Sequence, residues 1–220
     1  MNIKPLVAEL VGTFALIFIG VGSIVANHLT NGQVGLTGIA LAHGLTIAVM
    51  VSATAAVSGG HLNPAVTIGL LTANKISLNN AIGYVIAQCV GAILAAICLK
   101  ICLPADALAA VNMGTPAPAV GISMIMALVT EIILTFFLVF VVYGTAVDKR
   151  APKVGGLFIG LTVALDILMG GPITGAAMNP ARYLGPALLG GGLTYIWLYW
   201  IGPILGGILA AQLYHKVLES

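Results

Sequence analysis

The tripeptide Asn-Pro-Ala occurs twice in this chain, within SGGHLNPAVT at residues 58–67 and within GAAMNPARYL at residues 175–184. The two copies are 116 residues apart (179 − 63). Asn is favoured as a helix N-cap and Pro at the first helical position, so each copy predicts the start of a helix. The residues of the two predicted starts are Asn63, Pro64, Ala65, Asn179, Pro180 and Ala181.

The composition places both motifs in a membrane. Only 6% of the 220 residues are Asp, Glu, Lys or Arg, whereas a soluble domain averages about 25% charged residues. So little charge cannot form the polar shell of a soluble helical core, and lipid is the solvent that removes this need. One spanning helix takes about 20 mostly apolar residues. Six stretches fit: 5–27, 36–57, 79–102, 122–147, 153–171 and 193–217.

The basic residues predict the orientation, because cytoplasmic segments carry an excess of Lys and Arg. With the N-terminus in the cytoplasm, six basic residues fall on that side and two on the other. The six are Lys4, Lys75, Lys149, Arg150, Lys153 and Lys216, and the two are Lys100 and Arg182. We expect a multi-pass protein of the plasma membrane with both termini in the cytoplasm. The net charge of +2 is too small to suggest nucleic acid as a partner.

The chain also repeats itself. The segment 8–18 parallels 130–140, GLT at 44–46 parallels GLT at 160–162, and GAILAA at 91–96 parallels GGILAA at 206–211. Each half holds three spans, and because three is odd the second half must enter from the opposite side of the membrane. We therefore expect one domain over 1–220, made of inverted repeats at about 4–102 and 122–217 with a linker at 103–121. Spans two and five are expected to cross at the repeat mates Gly44 and Gly160.

Each Asn-Pro-Ala motif lies between the second and third spans of its half. The residues that follow, 64–74 and 180–190, are too few to cross a bilayer. The inverted repeat brings the two helix starts together near the midplane, where non-helical backbone is tolerated only if it is buried or lines a wet cavity. We expect two partial positive helix ends there, and a water-filled pore that repels cations. Its carbonyl ladder is predicted from Gly59, Gly60, His61, Leu62, Gly175, Ala176, Ala177 and Met178.

The paired motifs, a Glu near the start of spans one and four, and the span pattern resemble the aquaporin family of major intrinsic proteins over nearly the whole chain. The resemblance implies an all-α, aquaporin-like fold of six transmembrane helices and two re-entrant half-helices. It implies a passive channel that conducts water and excludes protons and ions, assembled as a homotetramer. The amides of Asn63 and Asn179 would then donate hydrogen bonds to passing water.

Three acids lie at membrane depth. Glu9 and Glu131 are repeat mates, and both the residues and the resemblance suggest that they accept hydrogen bonds from backbone amides of the re-entrant segments. Asp166 has no acidic mate, since Met50 stands at the matching position, and it receives no role. The alternative is that these acids couple solute flux to protons, as in a secondary transporter.

Arg182 is the only Lys, Arg, Asp or Glu between Ile167 and His215. A charge at such depth is costly, so its position is a functional hypothesis. The resemblance places this Arg at the narrowest constriction, together with His43, Ile167 and Ala176. That set is similar to plant vacuolar-membrane members, which implies conduction of water and of ammonia, urea or hydrogen peroxide. The alternative for His43 is a histidine that only packs between helices.

Glycerol is the second candidate solute. The resemblance associates glycerol conduction with an Asp directly after the Arg, where this chain has Tyr183. Tyr199 and Trp200 resemble the aromatic pair of water-type members. Both features weigh against glycerol. The sequence contains no nucleophile–base arrangement, phosphate loop or metal-ligand spacing, so we expect no enzymatic activity, cofactor or metal.

Overall fold

The computed structural model describes residues 2–151 and 154–219. Within these residues, six helices are long and apolar enough to cross a membrane. They are α1 (Ile3–Leu29), α2 (Gly35–Ser58), α4 (Leu78–Cys102), α6 (Met124–Val142, extended by a π turn to Val147), α7 (Gly155–Thr174) and α9 (Ile196–Leu213, extended to Leu218). The six predicted spans are confirmed, with ends that shift by a few residues. Lys153, one of the predicted cytoplasmic cations, lies outside the described residues.

Two short helices begin at the Asn-Pro-Ala motifs. The helix α3 spans Pro64–Thr72 and α8 spans Pro180–Pro186. Each is capped by the Asn before it, since Asn63 Oδ1 accepts from Ala65 N at 2.8 Å and Asn179 Oδ1 accepts from Ala181 N at 3.0 Å. The nine residues of α3 rise about 14 Å, which is half of the roughly 30 Å of hydrocarbon in a bilayer. Both predicted helix starts are therefore confirmed as half-helices.

The two halves of the chain make equivalent contacts. A Cβ atom on Gly91 of α4 would lie 2.3 Å from the carbonyl oxygen of Leu10 in α1, and a Cβ on Gly206 of α9 would lie 2.2 Å from that of Ile132 in α6. Each half-helix packs against the last spanning helix of the opposite half. A Cβ on Gly69 of α3 would meet the backbone of α9, and a Cβ on Gly185 of α8 would meet the backbone of α4. Equivalent close approaches in the two halves are what an inverted repeat produces.

The crossing of α2 and α7 also depends on glycine. A Cβ on Gly44 would lie 2.5 Å from the carbonyl oxygen of Gly160, and a Cβ on Gly160 would lie 2.3 Å from that of Gly44. Small residues allow spanning helices to approach to backbone contact. The predicted crossing at this glycine pair is confirmed, and it brings α2 and α7 together beside the two half-helices.

The segment 103–121 is more than a linker. It contains a short helix, α5 (Ala105–Ala110), followed by a 3-10 turn at Asn112–Gly114. Its later part joins the second half, because Ala119 N donates to Ile173 O at 2.9 Å. The segment therefore packs over one mouth of the bundle, which the sequence did not predict.

Candidate functional site

The two half-helices meet through the side chains of their cap residues. Asn63 Nδ2 donates to Met178 O at 2.8 Å, and Asn179 Nδ2 donates to Leu62 O at 3.0 Å. Each amide thus reaches across to the segment that precedes the opposite motif. An amide carries two N–H donors, so one donor of each Asn remains after this bond. Both Asn residues border a central cavity, where that second donor can meet water.

Glu9 holds the first re-entrant segment in place. Its Oε1 accepts from Ser58 Oγ at 2.7 Å and from His61 N at 2.9 Å. Its Oε2 accepts from Leu62 N at 2.6 Å and from Gln88 Nε2 at 2.7 Å. Glu9 is fully buried. A buried carboxylate with four donors is well compensated for the loss of water.

Glu131 holds the second re-entrant segment with nearly the same bonds. Its Oε1 accepts from Thr174 Oγ1 at 2.7 Å and from Ala177 N at 3.0 Å, and its Oε2 accepts from Met178 N at 2.8 Å. It too is fully buried. The backbone amides bound by the two carboxylates occupy matching positions in the repeat, and so do the two hydroxyl groups.

The re-entrant backbone is unusual in conformation. Leu62, Ala176 and Met178 have positive φ angles of 50°, 44° and 51°. A non-glycine residue in this region costs roughly 1–2 kcal/mol, and it persists where the surroundings over-determine it. Here the constraint comes from the hydrogen bonds that Glu9 and Glu131 accept from these segments and that Asn63 and Asn179 donate to them.

The eight residues of the predicted carbonyl ladder divide into two groups. Six of them border a cavity. Gly60, His61, Ala176, Ala177 and Met178 border the central cavity, and Gly175 borders a second cavity nearer the segment 103–121, the outer vestibule. Gly59 and Leu62 border neither of these two cavities. The carbonyl of Leu62 accepts from Asn179 Nδ2 at 3.0 Å and from Thr13 Oγ1 at 3.3 Å. The carbonyl ladder stays a prediction for all eight residues.

The central cavity is mostly apolar, with polar groups at the half-helix starts. Its apolar wall includes Leu16, Ile47, Leu138, Ile159 and Val163. On one side it adjoins an outer vestibule, which is formed in part by the segment 103–121 and shares lining residues with it. The residues that border both spaces mark the passage between them. They are His43, Ile167 and Arg182.

Three of the four predicted constriction residues thus share this passage, and the fourth, Ala176, borders the central cavity. The structure brings the four residues together from α2, α7, the second re-entrant segment and α8.

Arg182 is 5% exposed, and its Nη1 donates to Gly114 O at 3.0 Å. Its Nε has no hydrogen-bond partner among the described residues. Gly114 belongs to the 3-10 turn over the mouth of the bundle, and the sequence did not indicate this contact.

His43 is held from two sides. Its Nδ1 lies 2.9 Å from Ile39 O, one helical turn earlier in α2. The ring is 2% exposed and packs against Gly20 of α1. His43 therefore does both things that the sequence left open, because it packs between helices and also borders the passage.

Tyr183 and Tyr199 lie away from both cavities. Both are fully buried, and their rings stack with centroids 4.7 Å apart. The Tyr183 hydroxyl donates to Gly192 O at 3.1 Å, and the Tyr199 hydroxyl donates to Thr174 O at 2.6 Å. Tyr199 thus supports the second re-entrant segment, as Tyr84 supports the first by donating to Ser58 O at 2.9 Å.

Asp166 has an exceptional position. It is 6% exposed, and its Oδ2 has no hydrogen-bond partner in the described part of the chain. It borders neither cavity, although the next residue, Ile167, borders both. No group of His, Cys, Asp and Glu in the described residues could hold a metal ion.

Six spanning helices, with two half-helices that meet beside a cavity inside the bundle, define a membrane protein of the channel class. The chain belongs to the major intrinsic protein family, whose sequence profile matches residues 1–214.

Similar proteins agree with this assignment. Aquaporin TIP4-4 of Zea mays is 46% identical over 222 residues, which cover 96% of this chain and 85% of that relative. Aquaporin NIP1-1 of Oryza sativa subsp. japonica is 40% identical over 216 residues, which cover 98% of this chain and 74% of that relative. The X-ray structure of the aquaglyceroporin from Plasmodium falciparum is similar with a TM-score of 0.86 and 29% identity, covering 98% of this chain and 96% of that one.

Proposed function

We propose that this protein is a passive channel for water and small neutral solutes, and that it excludes protons and other ions. The observation that carries the proposal is the pair of Asn amides at the two half-helix starts, beside a cavity that leads to His43, Ile167 and Arg182. The relatives named as aquaporins support the same activity.

Ion exclusion follows from the charges around the cavity. Two helix N-termini contribute partial positive charge at its centre, and Arg182 adds a full positive charge beside the passage. A water molecule that accepts hydrogen bonds from Asn63 and Asn179 turns its own hydrogens outward, away from the centre. The positive charge opposes the entry of hydronium and of metal cations, and the fixed orientation of the water opposes the passage of protons from one water to the next, as in aquaporin-type selectivity generally.

The walls of the passage suggest which solutes accompany water. Ile167 presents an apolar surface, and Ala176 takes little space beside it. We propose that ammonia, urea and hydrogen peroxide pass through this opening. Glycerol remains the second candidate, because the similar solved structure is an aquaglyceroporin. Tyr183 is buried against Tyr199, so its effect on solute choice is indirect.

We propose structural roles for Glu9 and Glu131. Each already accepts three or four hydrogen bonds from the segment that it supports and from its neighbours. A carboxylate that relays protons would have to release such bonds in each cycle. This argues against a proton-coupled transporter, and we propose equally that the protein is not an enzyme.

The proposed orientation puts both termini in the cytoplasm. Lys75, Arg150 and the C-terminal turn meet at one end of the bundle, since Lys75 Nζ and Arg150 Nη2 donate to Glu219 and Leu218. Lys100 donates to Leu189 O near the other end. This separation follows the predicted distribution of cations. A homotetramer and residence in the plasma membrane complete the proposal, testable by mass measurement in detergent and by fractionation of a tagged protein.

The solute range is tested with purified protein in liposomes. Stopped-flow light scattering measures the uptake of urea, ammonia and glycerol without a pH gradient, against protein-free liposomes. We expect protein-dependent uptake of ammonia and urea and little uptake of glycerol. Glycerol uptake as fast as that of urea would favour the second candidate.

A further inference from the structure

Gly20 of α1 lies directly behind the His43 ring. A Cβ atom on Gly20 would lie 2.4 Å from Nε2, 2.6 Å from Cδ2 and 2.9 Å from Cε1 of that ring. Non-bonded carbon atoms sit comfortably at about 3.5–4.0 Å. Any side chain at position 20 would therefore require the ring to move by roughly 1 Å, a distance set by the same contact radius.

The ring has one direction in which to yield. Its Nδ1 edge is tied to Ile39 O at 2.9 Å, and the α1 side would be filled by the new methyl group. The remaining side is the passage, which His43 borders together with Ile167 and Arg182. Because interiors are closely packed, a displaced side chain moves into open space before it moves a helix.

We infer that Gly20 is a positioning residue that sets the width of the solute passage through His43. The missing side chain at position 20 lets the ring sit back against α1, which leaves room for neutral solutes larger than water, such as urea. The inference rests on the proposed function and names a residue outside the passage that controls its width.

The same helix provides a matched control. Gly22 lies two residues further along α1, and a Cβ atom there would meet nothing within 4 Å. Ala is favoured over Gly inside a helix, so neither Gly20→Ala nor Gly22→Ala weakens α1 by itself. A difference between the two variants therefore reports on what the new methyl group touches.

The test measures urea and water permeability in liposomes for five proteins: wild type, Gly20→Ala, Gly22→Ala, His43→Ala and the double variant Gly20→Ala/His43→Ala. We expect Gly20→Ala to lower the ratio of urea to water permeability several-fold, and Gly22→Ala to leave it unchanged. In the His43→Ala background, Gly20→Ala should have no further effect. An equal fall in that background, or an unchanged ratio in the single variant, would overturn the inference.

Two further outcomes are also decisive. If Gly20→Ala alone does not fold, the double variant should fold because the ring is gone, and failure of both would show that Gly20 packs against something else. If the wild type conducts water without urea, the proposed solute range is wrong. In that case the effect of Gly20→Ala, with and without the His43 ring, is measured on water permeability alone. Failure of the proposed solute range is thereby distinguished from failure of the inference about Gly20.

Discussion

Glu9 and Glu131 are the residues on which the re-entrant segments depend most directly. The sequence predicted both as anchors because they are repeat mates in an apolar chain, and in the structure their carboxylates accept from backbone amides of these segments. It did not predict Ser58, Thr174 or Gln88 as their partners. The two hydroxyl residues stand at matching positions of the repeat, which is a signal that a closer comparison of the halves would find. Gln88 has no such signal, because its contact depends on the packing of α4 against α1.

Replacing Glu9 with Gln should destabilise the protein. The amide keeps the size of the carboxyl group but replaces one oxygen with N–H₂, which then faces two donors: either Ser58 Oγ and His61 N, or Leu62 N and Gln88 Nε2. Leaving a buried donor unsatisfied costs about 1–3 kcal/mol, and more than one would be affected. Thermal unfolding in detergent should occur well below the wild-type temperature. Asp106→Asn, at an exposed acid, is the control, and equal unfolding temperatures for the two variants would contradict the anchor role.

Arg182→Val should increase the flux of urea and the leak of protons. The substitution removes the positive charge beside the passage and empties space that the guanidinium fills. Proton leak is measured with a pH-sensitive dye inside the liposomes, and urea flux by light scattering. Lys100→Gln removes a charge of the same sign outside the passage and should change neither. Unchanged selectivity in Arg182→Val would argue against the Arg as part of the filter.

Asp166→Asn should leave transport intact. The carboxylate is buried with one oxygen unpartnered, and burying an ionised group without a partner is costly. A neutral amide removes the cost of a charge but adds two N–H donors at the same place, so the unfolding temperature should change little. Water flux and unfolding temperature measure the two effects. Loss of all flux in this variant would instead point to the proton-coupled alternative.

At the scale of elements, the N-cap chemistry of Asn-Pro-Ala predicted α3 and α8, and hydropathy predicted the six spans. The loop-like composition of the segment 103–121 predicts only a linker. It lines part of the outer vestibule, and its direct contact with the predicted site residues is the carbonyl of Gly114, which accepts from Arg182. Every residue type carries a backbone carbonyl, so the sequence could not indicate this contact.

The C-terminal turn is fastened to two neighbouring segments by ionic contacts. Hydrogen bonds from Lys75, His215 and Tyr143 lower the pKa of Glu219 from 4.5 to about 2. The neighbouring Arg150 guanidinium holds the pKa of Asp148 well below its usual range. A carboxyl group with a lowered pKa in the folded state stabilises the fold above its unfolded pKa. That contribution is lost as the pH falls through the folded value.

Glu219→Gln should therefore reduce the sensitivity of the fold to acid. Between about pH 5 and pH 2, which is the interval from the unfolded to the folded pKa of Glu219, the unfolding temperature of the wild type should fall more than that of the variant. Near pH 7 the variant should be modestly less stable, since exposed ion pairs contribute little. Parallel curves for the two proteins would show that Glu219 does not fasten the C-terminal turn.

At the scale of the whole molecule, the inverted repeat explains why the site forms where it does. Each half supplies one capping Asn, one anchoring Glu and one half-helix. The bonds from Asn63 to Met178 O and from Asn179 to Leu62 O join the halves at the centre. The repeat could be predicted because its landmarks recur in order. The contacts that have no counterpart in the other half, Arg182 with Gly114 over the mouth and His43 with Gly20 behind its ring, join distant segments and could not be predicted.

The measurement that tests the central claim most directly is osmotic water flux in liposomes that contain the purified protein, with equal pH inside and outside. The account predicts flux much faster than in protein-free liposomes, driven by the osmotic gradient alone and unchanged when a pH gradient is imposed. Flux that appears only with a pH gradient, or that is no faster than through the lipid, would contradict it.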